Sequence, residues 1–325
     1  MKTMKEKGLR LYRRGFTIIE LLVVLGILGI LLAALLPMVG GSRDSALTAQ
    51  CKNNMHSLAQ GVITWGQSNG ERGWFPAAGQ CRWIRPTTDK KTRYGVHRPW
   101  ISNKGPVTSL NHNYMSAFVG EVAHFTEQGD EALKAVTNGA IWFAVGMSFE
   151  VYRCPVHARE FEKKNDRQPW WSYMMNQEFG FNRDGRGFSP YGIPQVNDLI
   201  TVSTELSGYR GTGKQATRGH DKVLLFAEVQ GIEVDDSKHG IILKSASSGN
   251  LTDAILEYAK NEEMGFNHAM GKKRYGGNVA FADGHVDTIM MPTERAYIKD
   301  LTRYLCQGFD VPHDGSRYTP REIDK

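Results

Sequence analysis

Between Leu21 and Leu36, sixteen consecutive residues carry no polar side chain, and the apolar stretch reaches twenty-four from Phe16 to Val39, interrupted only by Thr17, Glu20 and Pro37. At 1.5 Å per residue a helix of that length spans about 36 Å, enough for a hydrocarbon core of about 30 Å with some tilt. Pro37 removes a helical hydrogen bond and predicts a kink or an opened turn, which Gly40-Gly41 weakens further. Met55, Leu58, Val62 and Trp65 then recur at three and four residues. This spacing predicts a resumed amphipathic helix with its stripe against a domain, ending near Asn69-Gly70 and Gly73.

After residue 70 the helical period fades, and short apolar runs alternate with Gly, Pro, Asn and Asp. Ile141 to Val151, Lys222 to Val229, Gly240 to Lys244 and Asn278 to Met291 read as strands, and Leu251 to Glu262 as a short helix. The expected fold class is α+β, a long N-terminal helix packed on an antiparallel sheet. Its expected divisions are a basic leader (1–15), an apolar membrane-length helix (16–39), its amphipathic continuation (40–70) and one globular domain (71–325).

Charge fixes the orientation. Lys2, Lys5, Lys7, Arg10, Arg13 and Arg14 against Glu6 place +5 of the chain's formal +6 in the first fifteen residues. The basic tip stays cytoplasmic and the domain crosses. The nearly neutral body gives little support to a nucleic-acid-binding surface, so no nucleic-acid partner is expected. A cleaved signal peptide, with Ala33-Ala34 or Gly40-Gly41-Ser42 as its small-residue site, fits the length; so does a plain signal anchor. Neither accounts for Glu20, whose carboxylate costs about 2.5 kcal/mol or more in a membrane segment and needs a partner.

The run Arg13-Arg14-Gly15-Phe16-Thr17-Ile18-Ile19-Glu20-Leu21-Leu22-Val23-Val24 resembles the processing site of type IV prepilins and type II secretion pseudopilins. The resemblance implies cleavage after Gly15 by a prepilin peptidase, N-methylation of Phe16, and an assembly role for Glu20 opposite a neighbouring subunit's amine. It continues in Cys51-Lys52-Asn53-Asn54-Met55, in Gly73-Trp74-Phe75-Pro76, in Val151-Tyr152-Arg153-Cys154-Pro155 and in Trp171-Ser172-Tyr173-Met174-Met175-Asn176. Gly277 to Val286, ending Asp283-Gly284-His285-Val286, resembles a C-terminal signature of a His, nine residues and Asp-Gly. Here His268 precedes Asp283 by fifteen positions, a departure from that spacing. The segment 80–138 resembles nothing familiar.

Read without the family, Asp283-Gly284 suits a two-residue type I′ hairpin. That turn would set Phe281 opposite Val286, with Ala280, Ala282, His285 and Asp287 on the second face. His268, Asp283, His285 and Asp287 form a candidate metal set, for a structural Ca2+ as in some pseudopilins or another divalent ion. The competing reading is turn chemistry and solvated strand residues, and no cofactor is required. Of the four cysteines, Cys51 and Cys154 invite a disulfide between helix and sheet, with buried free thiols as the alternative. Asp235-Asp236 reads as a charged turn. The tryptophans suit sugar stacking or ordinary core packing.

No nucleophile elbow, phosphate loop or zinc-protease helix occurs, so an enzyme is not expected. The expectation is a structural subunit or minor component of a secretion pseudopilus or pilus-like filament. A membrane-anchored ligand- or carbohydrate-binding module is the alternative. The expected partners are the prepilin peptidase, other pilins and an inner-membrane assembly platform. The expected location is the bacterial inner membrane, single pass, and then a filament in the periplasm or at the cell surface.

Overall fold

The computed structural model describes residues 16–69, 75–76, 78, 100–101, 130–163, 171–176, 178–179, 200–203, 215–244, 254–256, 262–271, 274–311 and 313, with side chains at 33–43, 69, 130–132, 161, 200–203, 215–217 and 239 left outside that description. The leader with Gly15, most of the 80–138 segment and Cys81 lie outside the described residues. The helices are α1 (Ile18–Asn69), α2 (Asp130–Thr137), α3 (Pro155–Lys163) and α4 (Arg295–Cys306). The strands are β1 (Tyr173–Asn176), β2 (Ile200–Ser203), β3 (Gln215–Arg218), β4 (Leu224–Glu228), β5 (Val234–Asp236), β6 (Ile241–Leu243), β7 (Ile255–Leu256), β8 (His268–Ala269), β9 (Tyr275–Phe281) and β10 (Val286–Met290).

The chain divides into two units, one ending at Ala46 and one starting at Leu47. In the first, α1 carries exposed apolar side chains from Ile18 to Leu32. Among the described residues no helix is long and apolar enough to cross a membrane; with side chains at 33–43 set aside, the described apolar part of α1 stops at Leu32. The helix runs on through Pro37 and Gly40-Gly41, where a kink or an opened turn was expected, and ends at Asn69, near its expected end.

In the second unit the central sheet runs in the order β10-β9-β4-β1-β7, with β8 also paired to β9. All these pairings are antiparallel except β1 with β7, which is parallel. Both faces of the sheet are covered. Cys51, Met55, Leu58, Ala59, Val62 and Trp65 of α1 bury one stripe against Tyr173, Met175, Phe226 and Ala280. Ile298, Leu301, Tyr304 and Leu305 of α4 cover Leu224, Ala227, Val279, Phe281 and Ile289 on the other face. The spacing of those four α4 residues is helical, and this helix was legible in the sequence but not read there.

Two expected elements differ. Ile141–Val151 is not a strand but a run of turns entering a 3-10 helix at Phe149–Tyr152. Gly146 (φ 72°) and Met147 (φ 58°) are left-handed, which an extended strand excludes. Within Leu251–Glu262 the described residues show no helix: Ala254 is left-handed (φ 57°) and Ile255–Leu256 pair beside β1.

The β9–β10 hairpin forms at the expected place with a different turn. The Phe281 N–H donates to the His285 carbonyl, and the Gly284 N–H to the Phe281 carbonyl, each 2.9 Å. The loop is therefore three residues, Ala282 to Gly284, and only Gly284 is left-handed (φ 93°). Val286 consequently faces Ala280, not Phe281. One extra loop residue moves every β10 side chain to the other face, so Val286 packs on the α1 side and Ile289 on the α4 side. Gly284 also rests on α1: its carbonyl lies 2.9 Å from His56 Nδ1, and a Cβ would come 2.4 Å from Gln60 Nε2.

Where β4 ends, the backbone passes through a tight gap. A Cβ at Gly277 would lie 2.0 Å from the Gly265 carbonyl oxygen, which leads into the stretch carrying His268. Gly277→Ala is therefore expected to destabilise the unit by roughly 1–3 kcal/mol through overpacking against backbone. A lowered denaturation midpoint in urea checks it, and an unchanged midpoint contradicts it.

Candidate functional site

Two places in the structure carry chemistry. The first is the start of α1. Thr17 precedes the first helical residue, and Glu20 is the third residue of the helix. The Thr17 N–H and Oγ1 both donate to Glu20 Oε2, at 2.8 and 2.9 Å, while the Glu20 N–H donates to Thr17 Oγ1 at 3.2 Å. This is a reciprocal capping box, which satisfies backbone donors that a helix start otherwise leaves open. The pattern Thr-x-x-Glu was visible in the sequence, yet the capping box was not read there. Phe16, just before this cap, is 81 % exposed.

The second place lies under α1 at the end of β4. A β-bulge between Leu224 and Phe226 interrupts the pairing with β9. Leu225 and Phe226 both reach the α1-side core as a result. Alternation then carries Ala227 to the α4 side and Glu228 back toward α1. Without the bulge Glu228 would face α4. Pairing of Tyr173 with Glu228 and of His268 with Gly276 brings β1, β4, β8 and β9 together around the carboxylate.

Glu228 is fully buried and saturated with donors. Its Oε1 accepts from Cys51 Sγ (2.7 Å) and Asn278 Nδ2 (3.0 Å) and lies 2.8 Å from His268 Nε2; Oε2 accepts from Asn267 Nδ2 at 3.2 Å. Burial works to raise its pKa, but the His268 charge and these donors outweigh it and hold the carboxyl below the usual range. Burial works to lower His268, yet the facing Glu228 charge raises it to about 10. The other ring nitrogen, Nδ1, lies 3.1 Å from Thr48 Oγ1. Cys154 sits immediately before α3, whose first residue is Pro155, a residue suited to that position. Burial pushes the Cys154 thiol up, whereas hydrogen bonds from Cys51 and His268 bring it to about 7. Cys51 is pushed well above its ordinary value by burial and by Cys154 beside it.

Cys51 and Cys154 are thus neighbours, as expected, but the disulfide is not formed: both are buried free thiols. The expected metal set is corrected as well. His285 Nδ1 lies 2.6 Å from Asp283 Oδ1 in an exposed local pair, and Asp287 Oδ2 lies 2.8 Å from His313 Nδ1. His268 joins neither. It pairs beside Gly276, whereas Asp283 lies past Phe281 at the far end of β9, and the strand between covers about 17 Å. Among the described residues, the group whose ligand atoms lie within 4.8 Å of one another is Cys51, Cys154, Glu228 and His268. Glu228 was missed in the sequence; a lone acid closing the apolar run Leu224–Ala227 was its only signal.

Trp100, Trp142 and Trp171 are buried, with Trp100 against Phe226 at 4.8 Å and Tyr152 at 5.9 Å, so these three are core residues and not a sugar platform. Asp235 accepts from the Ser237 N–H and shapes the β5–β6 turn, as expected.

Residues 10–36 match the prokaryotic N-terminal methylation motif. The match supports a type IV pilin-like precursor, processed by a peptidase and assembling with other pilins, and points to a structural protein. No curated protein matches the chain, and no solved structure does.

Proposed function

We propose that the chain is a filament subunit, or a minor component, of a type II secretion pseudopilus or a type IV pilus-like fibre. The observation that carries this reading is the coincidence of the methylation-motif match at residues 10–36 with a capped helix start at Thr17–Glu20. A chain cut after Gly15 begins its helix within two residues. The Phe16 amine is then held at the tip of an exposed apolar helix. In this reading residues 16–39 anchor the precursor in the inner membrane, N-terminus inward, and later pack between subunits in the fibre. The partners are the prepilin peptidase, sibling pilins and an assembly platform, and the domain from Leu47 onward sits outside the cytoplasm.

The mature chain is expected to begin at methylated Phe16. Gly15→Leu is expected to leave the full-length precursor in the membrane, because a side chain enters a peptidase site matched to glycine. Intact mass and N-terminal sequencing of the membrane-extracted protein check both. A start after Ala34 or Ser42 would show an ordinary signal peptide instead.

A further inference from the structure

We propose that Cys51, Cys154, Glu228 and His268 form a closed, tetrahedral structural zinc site that fastens the assembly helix to the sheet. The donors come from four elements far apart in sequence, α1, the start of α3, the end of β4 and β8, and their ligand atoms lie within 4.8 Å of one another. The edges of a zinc tetrahedron with nitrogen, oxygen and sulfur ligands run roughly 3.3–3.8 Å. Cys51 Sγ and His268 Nε2 lie 2.7 and 2.8 Å from Glu228 Oε1, so the carboxylate has to withdraw by under about one ångström to admit the ion.

Donor chemistry selects the metal. Two thiols with an imidazole and a carboxylate in tetrahedral array suit zinc, and calcium takes six to eight oxygens. All four residues are buried to 1 % exposure or less, so no position is left open to substrate, and the site is structural, not catalytic. An outer layer for such a site is present. Thr48 holds His268 Nδ1, which leaves Nε2 for the metal. The Tyr173 hydroxyl, 3.2 Å from Cys51 Sγ, is placed to donate to a thiolate, and Asn267 and Asn278 orient Glu228. An ion pair by itself accounts for Glu228 and His268. It does not account for two further thiols converging on the same point.

The test uses the full mature chain, extracted in detergent without chelator, with metal content read by elemental mass spectrometry and free thiols counted in parallel. One zinc per chain is expected, with Co2+ giving a thiolate-to-metal absorption band on exchange. Cys154→Ser is expected to lower zinc content at least tenfold, and Cys306→Ser, a buried thiol outside the group, to leave it unchanged. Should Cys154→Ser fail to fold, the wild-type protein decides. Stripping by chelator is expected to lower its melting temperature by roughly 10 °C, with recovery on adding Zn2+ and none on adding Ca2+. Protein that retains no zinc, whether Cys51 and Cys154 are joined or free, or whose melting is restored by Ca2+ alone, overturns the proposal.

Discussion

Glu20→Gln is expected to leave the start of α1 folded and the precursor fully processed, and to cut filament recovery about tenfold or more. Glutamine keeps the carbonyl oxygen that accepts the Thr17 N–H, and it is an accepted partner in the capping box. It removes only the charge. Glu20→Val removes both, and frays the first turn by about 0.5–2 kcal/mol as well. The two variants therefore separate two roles of one carboxylate. Pairing with a neighbouring subunit's Phe16 amine needs the charge, and a loss of about 1.4 kcal/mol at one subunit contact is already tenfold in association. Closing its own helix needs only the acceptor. Sheared or crosslinked filaments and processed membrane protein are measured in the same cells. If Gln behaves as wild type while Val fails, Glu20 serves its own helix and the intersubunit role is rejected.

Glu228→Ala is expected to destabilise the globular unit by about 3–5 kcal/mol, the usual cost of stranding a buried partner. The loss arises because His268 and Asn278 lose their carboxylate acceptor in a buried site, while Asn267 is left with the Val229 carbonyl. The double change Glu228→Ala with His268→Ala should cost less than the sum of the two single changes, by about 0.5–3 kcal/mol. Additive losses in urea unfolding would show that the two residues do not act as a pair. In metal-free protein the pair also sets a pH window. His268 is raised, so its contribution is complete below its ordinary 6.5 and fades as pH rises through about 10. Glu228 is lowered, so its contribution is complete above its ordinary 4.5 and fades in acid. Stability of the stripped protein should therefore peak between these limits, and a maximum above pH 8 would contradict the assignment.

Local pattern by itself determined a good deal. The Met55–Trp65 stripe is buried, because a helix repeats every 3.6 residues whatever lies beside it. Strands β4, β6, β9 and β10 fall where short apolar runs are bounded by turn residues. The placement of a hairpin at Asp283-Gly284 was legible for the same reason. What the tertiary structure decided is which way things face. One extra loop residue at the hairpin and one bulge in β4 each reverse a two-residue alternation, and such shifts leave no mark on composition or period. They move Val286 into the α1-side core and turn Glu228 toward Cys51. Left-handed backbone at Met147 and Ala254 likewise overrode apolar runs that read as strand and helix. His268 found its partners along the edge of β9 and not at the turn that shares its signature, because strand pairing, which chain distance does not encode, brings β8 to the end of β4.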